Sequence, residues 1–273
     1  MSTPGGDDLM VLARRVLLDA LEALSDHHDA LVLVGAQAIY LHTRAAPIAV
    51  PEMTKDSDLA IDRRLLSDDP LLEEAMSRAG FKLGKHPGSW LGLMDIPVDL
   101  MIPESMSDPG GRRGGRVPPH SKRATRRASG LEAAIVDHAP APIAALDVTD
   151  SRVFTIDVAG PAALLVAKLH KLGERGQRAP DRLNDKDAHD VYRLLVAVDT
   201  AALSANIKVL LSSDLASEAT RVALDYMRDL FAGGPDALGS LMAGRAEGLL
   251  GDPALAAQSV AVLASDLVRA VGR

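Results

Sequence analysis

The 273-residue chain contains no cysteine, and its aromatic residues, including a single Trp, make up only 3% of the sequence. The lack of cysteine excludes a disulfide framework, a zinc–thiolate site and a cysteine nucleophile, and it fits a reducing compartment. Because rings are so few, the core has to be built from Ala, Leu, Val and Ile. The hydrophobic fraction of 47% and the charged fraction of 25% exclude a disordered chain and a fibrous rod.

Targeting and membrane signals are also lacking. The N-terminus, MSTPGGDDLM, has no basic stretch before an apolar run, so no signal peptide is predicted. The uninterrupted apolar stretches are about ten residues long, whereas a transmembrane helix needs about twenty. The sequence therefore predicts a cytoplasmic protein that does not associate with a membrane.

The charge is distributed unevenly. The net charge is −7, yet the segment 104–130 carries +5, because only Glu104 and Asp108 oppose its seven basic residues, which are Arg112, Arg113, Arg116, Lys122, Arg123, Arg126 and Arg127. Five glycines and three prolines in this segment predict a loop or a mobile segment. Two interpretations stay open for it: a solvated surface loop, or a surface that binds nucleic-acid phosphates.

The hydrophobic pattern predicts an α+β protein. Up to residue 159, helical and strand patterns alternate, as expected for a mixed β-sheet flanked by helices; from residue 160 onward the chain is Ala- and Leu-rich with helical periodicity throughout. We therefore predict a first domain over 1–159 and a helical domain over 160–273. The predicted strands are 31–34, 57–61, 96–102 and 152–158, and the predicted helices before residue 160 are 7–25, 35–42 and 68–79.

Two acids stand at the start of a predicted strand, Asp56 and Asp58. Residues two apart in a strand face the same side, so both carboxylates can meet at one point, where their like charges would need a cation. Mg²⁺ is the natural candidate because it prefers hard oxygen ligands. The alternative is a solvated turn.

A third acid, Asp99, interrupts the apolar run 96–102. A carboxylate in such a run has to be exposed, paired or bound to a metal ion. If the strands bring Asp56, Asp58 and Asp99 together, they form the carboxylate triad of a two-metal phosphoryl-transfer site.

Gly35 follows a predicted strand and precedes a helix. A glycine there lets the backbone approach a ligand closely, and the helix N-terminus favours phosphate. The alternative interpretation is a tight turn with close packing.

Lys168 lies near the centre of the apolar stripe of its predicted helix, between Leu164, Leu165 and Leu172. It either extends along the apolar surface to water or points towards negative charge. On the next helix, Asp187 shares the stripe of Val191, so the lysine and the acid could meet each other or a ligand. Asp190 fits the simpler role of an acid in a first helical turn.

The order of these features resembles the DNA polymerase β-like nucleotidyltransferase superfamily. It comprises a strand, a Gly turn, a helix, the motif Thr54-Lys55-Asp56-Ser57-Asp58 and a later strand with a third Asp. The helix 161–172, followed by LNDKDAHDVYRLL, is similar to the abortive-infection (AbiEii) and MenT-type nucleotidyltransferase toxins.

This resemblance implies a nucleotidyltransferase fold, with Asp56, Asp58 and Asp99 as ligands of Mg²⁺. It implies that Gly35, Ala36, Thr54 and Ser57 bind the nucleotide, and that Lys168, Asp187 and Asp190 complete the active site. It also implies transfer of a nucleotide from an NTP to an acceptor such as tRNA, with a neighbouring antitoxin protein as partner. The chain departs from the family pattern at Ala36 and Gln37, where a second glycine and a Ser or Thr are usual, and at Glu52, where an arginine is common.

Three functions remain open from the sequence. The first is an active Mg²⁺-dependent nucleotidyltransferase, which as a toxin would act on RNA bound through Arg112, Arg113 and Arg116. The second is a nucleotide-binding or regulatory module on the same fold without transfer activity. The third is a transferase that modifies a small molecule such as an antibiotic.

Overall fold

A computed structural model of the chain describes residues 6–44, 56–110, 113–248 and 251–272. These residues form two compact units. The first unit is made of the described parts of 1–37, 52–128 and 138–159, and the second of the described parts of 38–51, 129–137 and 160–273. The segments 38–44 and 129–137 thus belong to the second unit although they precede residue 160 in the sequence.

The first unit is built on an eight-stranded mixed sheet. Its main path runs in the order β3–β4–β5–β2–β1–β8–β7, and β6 pairs with β5 beside this path. The β1–β8, β2–β5 and β5–β6 pairs are parallel and the other pairs are antiparallel. The strands are β1 (Leu31–Val34), β2 (Ser57–Ile61), β3 (Lys82–Leu83), β4 (Ser89–Leu91), β5 (Pro97–Pro103), β6 (Arg126–Ala128), β7 (His138–Ala144) and β8 (Val153–Ala159).

Helix α1 (Gly6–Ala23) packs against β2, β5 and β8 and against α3 (Leu72–Arg78). Its apolar residues recur at helical spacing, and Val16, Leu17 and Leu21 are completely buried. The single tryptophan, Trp90, is also completely buried, and its indole N–H donates to the carbonyl of Ala124 at 3.0 Å. The core of this unit therefore consists mainly of aliphatic side chains, and the polar atom of its tryptophan is satisfied.

Helices make up the second unit in the described part of the chain. Helix α4 packs on α5 and α7, α5 packs on α8, and α9 packs on α6 and α8. These helices are α4 (Pro161–Arg178), α5 (Asp185–Ala197), α6 (Thr200–Ser212), α7 (Ser217–Met227), α8 (Leu238–Glu247) and α9 (Pro253–Val271), and α2 (Gly35–Thr43) runs from the first unit into the second. A mixed sheet flanked by helices, followed by a helical C-terminal region, confirms the predicted α+β class.

Several elements differ from the sequence predictions. The helix predicted over 68–79 begins only at Leu72, because Pro70 disfavours helical backbone in the residue before it. The segment 104–130, predicted as a loop, contains strand β6, and β7 lies where the sequence pattern is mixed. Strands β3, β4 and β6 have only two or three residues each, too few to display an alternating pattern.

Helix α9 is long and apolar enough to cross a membrane by length and composition, and the bent pair α5–α6 passes the same test if it is counted as one span. The apolar side of α9 packs within the second unit, where Val260, Ala264 and Leu267 are completely buried. A core helix meets the same criterion, and packing accounts for these buried residues, whereas Leu255 and Val262 on the same helix are exposed.

Two buried histidines, His27 and His120, meet in the first unit. Their rings lie edge to face with centroids 6.0 Å apart. Nε2 of His27 donates to the carbonyl of Pro70 at 2.9 Å, whereas Nδ1 of His120 accepts from the backbone N–H of Leu72 at 3.2 Å. His120 is therefore neutral with its proton on Nε2, and Nε2 of His27 also carries a proton. Burial lowers the pKa of both imidazoles.

We expect the first unit to lose stability as the pH falls from about 7.5 to about 5.5, because the unfolded state then takes up protons that the folded state resists. The two neutral histidines favour the folded state fully at a pH above the pKa of histidine in the unfolded chain. This contribution is lost as the pH falls towards the lowered pKa values of His27 and His120 in the folded protein. The measurement is urea unfolding followed by Trp90 fluorescence, since Trp90 lies in this unit.

The variant His27→Gln should show a flatter pH dependence than the wild type. His170 provides a contrast in the second unit: burial lowers its pKa, but Glu174 and the carbonyl of Ala219 outweigh burial and raise it. Its contribution is present at low pH and lost as the pH rises. An unchanged pH dependence of the Trp90 signal in His27→Gln would contradict the assignment.

Candidate active site

Asp58 on β2 and Asp99 on β5 lie side by side in the first unit. The two strands are parallel neighbours, and Asp58 and Asp99 are paired in register. Paired residues on adjacent strands point to the same face and are separated by about 4.8 Å between strand axes. Both acids are half-buried, whereas their chain neighbours Ser57 and Val98 are buried on the opposite face. Two of the three predicted metal ligands are thus brought together by the sheet.

Asp56 immediately precedes β2 and is half-buried. Its position two residues before Asp58 agrees with the same-face argument, but β2 begins only at Ser57, so Asp56 does not take part in the strand pairing. Thr54, predicted to bind the nucleotide, lies outside the described residues. Within the described ranges, no group of three or more His, Cys, Asp or Glu side chains is arranged to hold a metal ion.

Arg126 is the partner of Asp99. Its guanidinium donates to Oδ2 of Asp99 at 2.9 Å, from strand β6 on the far side of β5. The exposed fractions of the two side chains are 37% and 18%, so the ion pair is in contact with water. Sequence reasoning placed Arg126 only in the basic segment. Arg126 reaches Asp99 because strand β6 pairs with β5. Strand β6 has only three residues, too few for the sequence pattern to predict a strand there.

Gly35 brings the backbone close to Asp58 at the end of β1. Its φ is +69°, and a Cβ built there would lie 2.1 Å from Oδ2 of Asp58. Val34, the preceding residue, is paired in register with Asp58. The carboxylate therefore occupies the space that a side chain at residue 35 would fill, at the first residue of α2. The structure shows the tight turn with close packing, and close approach of the backbone to a ligand stays a prediction.

Replacing Gly35 with alanine should lower the free energy of unfolding by about 1–2 kcal/mol, because a left-handed φ is unfavourable for a residue with a Cβ. The Asp58 side chain would also have to move. Thermal unfolding followed by circular dichroism measures the effect. Gly176→Ala is the matched control: that helical glycine has no atom within 4 Å of a built Cβ and an ordinary φ, so alanine there should stabilise the protein. A loss in both variants would contradict the steric explanation.

The departure of Gln37 from the family pattern has a structural role. Its side-chain amide donates to the hydroxyl of Ser57 at 2.6 Å, and its oxygen accepts from Nε of Arg14 at 2.9 Å. Arg14 in turn donates to the carbonyl of Ala144. Ser57, a predicted nucleotide-binding residue, is completely buried in this network, on the α1 face of the sheet. Ala36, also predicted to bind the nucleotide, is half-buried in the first turn of α2.

Lys168 and Asp187 meet in the second unit. Nζ of Lys168 lies 2.9 Å from Oδ1 of Asp187 and 2.6 Å from Oδ2 of Asp190, and all three side chains are at least 92% buried. The sequence left open whether Lys168 and Asp187 contact each other or a ligand, and in the structure they contact each other. Asp190 differs from its expected role in a first helical turn, because it is buried and faces the lysine.

Two further cations contact Asp187. Nζ of Lys171 lies 2.8 Å from its Oδ1, and the guanidinium of Arg175 donates to its Oδ2 at 3.0 Å. Sequence reasoning missed both, although the spacing of residues 168, 171 and 175 places them on one face of α4. Together, these three cations and two carboxylates carry a formal charge of +1.

The charges of this cluster are fixed by their neighbours. Burial lowers the pKa of Lys168, but the carboxylates of Asp190 and Asp187 outweigh it and raise the pKa well above the usual range. Burial raises the pKa of Asp187, but Lys168 and Lys171 outweigh it and lower the pKa well below the usual range. The pair is therefore ionised at every physiological pH.

Helix α5 carries other polar contacts that anchor it within the second unit. Arg193 donates to the hydroxyl of Thr43 at 2.8 Å, and His189 lies 2.5 Å from Oε2 of Glu247. Asn184 caps α5 by accepting from the N–H of Lys186. Asp185, the first residue of α5, pairs with Arg245 on α8. These contacts hold the helix that carries Asp187 and Asp190.

The basic segment 104–130 is partly neutralised by its own acids. Arg127 pairs with Glu104, and Asp108 pairs with Arg63, outside the segment. Arg113 is exposed, and Arg116 donates to the carbonyl of Pro109 at 3.0 Å. Arg112, the third predicted nucleic-acid-binding arginine, lies outside the described residues. The positive charge of the segment therefore remains largely with Arg113, Arg116, Lys122 and Arg123.

The sequence matches no protein-family model, and no curated protein matches it. Solved structures give low-similarity matches. The antibiotic-resistance factor ANT(2'')-Ia is 12% identical, with 72% of this chain and 90% of that chain covered and a TM-score of 0.41. JHP933 from Helicobacter pylori is 13% identical, with 96% and 93% covered and a TM-score of 0.40.

A third match is to a candidate nucleotidyltransferase from H. pylori, at 12% identity, with 96% of each chain covered and a TM-score of 0.30. All three TM-scores are below 0.5. The functional assignment is therefore carried by the residues of the site rather than by these likenesses.

Proposed function

We propose that the protein is a Mg²⁺-dependent nucleotidyltransferase that moves a nucleotide from an NTP to an RNA acceptor. The observation that carries the proposal is the in-register pairing of Asp58 with Asp99, with Gly35 against the Asp58 carboxylate. Asp99 has Arg126 as a cationic partner, and neighbouring carboxylates on one sheet face are the kind of donor set that holds a metal ion at phosphoryl-transfer sites.

The donor chemistry of this pair fits Mg²⁺, which is typically held by one or two carboxylates with water and substrate phosphates completing its ligands. Asp58 and Asp99 would hold the ion, with Asp56 beside them. A bound ion would offset phosphate charge and lower the pKa of the attacking hydroxyl. Arg126 would have to share Asp99 with the ion, which the water-exposed position of that ion pair allows.

The chain's own groups would position the nucleotide. Helix α2 begins at Gly35, beside the Asp58 carboxylate, and the N–H groups at a helix start favour an anion such as a phosphate. The family resemblance adds Lys168, Asp187 and Asp190. Their cluster, with Lys171 and Arg175, keeps one positive charge in excess, which suits a phosphate-bearing ligand.

The first experiment is incubation of the protein with each α-labelled NTP, Mg²⁺ and total RNA. We expect label in RNA, and label in tRNA if the acceptor is the one that the family resemblance implies. Label in an added aminoglycoside instead would support a small-molecule transferase, and label nowhere would support a nucleotide-binding module without transfer activity.

The biological role we propose is that of a cytoplasmic toxin paired with an antitoxin protein. Controlled expression in a bacterial host is the test: the wild-type chain should arrest growth and Asp58→Asn should not. Growth of both strains at the same rate, with RNA labelling intact in vitro, would contradict the toxin role while leaving the transferase function standing.

A further inference from the structure

A pocket of about 590 Å³ opens in the basic segment of the first unit. This volume is that of a small-molecule site, for which about 300–1,000 Å³ is typical. Its walls include three cationic side chains and one histidine: Arg116, Lys122, Arg123 and His120, with Pro87 and Val117 beside them.

None of the three cations forms an ion pair with a carboxylate in the described part of the chain, although the charge of Asp108 interacts with that of Arg116. Arg116 donates to the carbonyl of Pro109 at 3.0 Å and Arg123 to the carbonyl of Gly84 at 2.9 Å, so each bond uses a neutral acceptor. Lys122 is exposed, and its side chain has no hydrogen bond or ion pair in the described part of the chain. Nearby Asp108 is engaged by Arg63, and Glu73 accepts from the N–H of Ser121. The pocket therefore presents net positive charge.

His120 lines the pocket but does not offer it a free donor. The residue is 94% buried, and its Nδ1 accepts from the N–H of Leu72. Its Nε2 is also buried rather than open to the pocket, and the backbone of Ser67 lies near the ring. The cationic side chains in the wall, rather than His120, therefore favour an anionic ligand.

The pocket is attached to the strand that carries Asp99. Pro87 in its wall precedes Gly88, whose N–H donates to the carbonyl of Arg123 at 2.9 Å and whose carbonyl accepts from Leu100 at 2.7 Å. Gly88 has a φ of +75°, and a Cβ there would lie 2.5 Å from the Leu100 carbonyl. The wall residue Pro87 is therefore joined through Gly88 to β5, the strand that carries Asp99.

We propose that this pocket binds a backbone phosphate of single-stranded RNA, which makes it the acceptor subsite of the enzyme. The assignment to the acceptor rests on the proposed function. In this proposal the acceptor and the NTP bind at different positions. The proposed function has the NTP phosphates at Gly35 and Asp58, on the side of β5 where β2 and β1 lie.

The test is binding of a short fluorescein-labelled single-stranded RNA, followed by fluorescence anisotropy without Mg²⁺ or NTP. Lys122→Ala should weaken binding about fivefold at about 0.1 M salt and flatten the slope of log K against log salt by about 0.7, as for one lost phosphate contact. Lys208→Ala is the matched control, because the side chain of Lys208 is also exposed and without a partner among the described residues, but lies in the second unit. It should bind RNA like the wild type.

RNA affinity and salt slope that are unchanged in Lys122→Ala, with the transfer assay positive, would overturn the pocket while leaving the transferase function intact. Loss of RNA binding in Lys122→Ala, with no transfer by the wild type, would support the pocket and overturn the proposed function.

ATP binding is measured as a third comparison and should be unchanged in Lys122→Ala. If the affinities for ATP and for RNA fell equally, the assignment of the pocket to the acceptor would be overturned. Equal melting temperatures would show that the variants are folded.

Discussion

Lys168→Met is expected to lower the free energy of unfolding by about 3–5 kcal/mol, because it removes one partner of a buried ion pair and leaves the other charged. The side chains of Lys168, Asp187 and Asp190 are exposed by only 8%, 6% and 3%, so water cannot replace the lost ammonium group. Asp187 retains Lys171 and Arg175, whereas Asp190 loses the cation that lies 2.6 Å away. Chemical unfolding followed by circular dichroism, which reports the helices, is the measurement.

Lys171→Met is the matched control for this substitution. Its ammonium group lies as close to Asp187 as that of Lys168, at 2.8 Å, but its side chain is 41% exposed. An exposed ion pair contributes about 0–1 kcal/mol, so this variant should unfold nearly as the wild type does. Equal losses in the two variants would show that burial does not determine the strength of these ion pairs.

The behaviour of Lys168 illustrates what the sequence can predict. Helical periodicity is determined by nearby residues, so a helical wheel is sufficient to place Lys168 and Asp187 on inward-facing stripes. The pairing of Asp190 could not be predicted in the same way. Its position in the first turns of α5 suits an exposed acid equally well, and only the packing of α4 against α5 decides between the two.

In the sheet, too, the bounds of strands could be predicted from the sequence, whereas the pairing of Asp58 with Asp99 could not. Strands β1 and β2 have their predicted bounds because each is a clear apolar run. That Asp58 and Asp99 are neighbours depends on the strand order, which joins β2 to β5 although residues 62–96 lie between them in the sequence. Long-range pairing leaves no local pattern, so the sequence supports the meeting of these acids only as a hypothesis, and the register of β2 with β5 decides it. Arg126 and the partners of Gln37 were missed for the same reason.

The largest effect on activity is expected for Asp58→Asn. Removing one carboxylate from the proposed metal site should lower nucleotide transfer about 100–1,000-fold, the range for loss of a group that stabilises transition-state charge. Asp99→Asn should have a similar effect, and it also leaves Arg126 without its partner. Rates of label transfer from α-labelled NTP into RNA, measured at saturating Mg²⁺, provide the test.

The matched control is Asp157→Asn. Asp157 lies on β8, two strands from β2, and its register with Val32 places it on the same face as Asp58. Its carboxylate pairs with His138 at 3.0 Å rather than with another acid. Transfer by Asp157→Asn should therefore match the wild type, and equal losses in both variants would remove the special role of the Asp58–Asp99 pair.

Stability separates a catalytic role of Asp58 from a structural one. Asparagine keeps the shape and one acceptor oxygen of the carboxylate and removes its repulsion with Asp99, so the free energy of unfolding should change by less than about 1 kcal/mol. A variant that loses transfer and keeps its stability supports the proposed metal site. Loss of several kcal/mol together with activity would instead mean that Asp58 serves mainly to hold the turn at Gly35, where its carboxylate occupies the space of the missing Cβ.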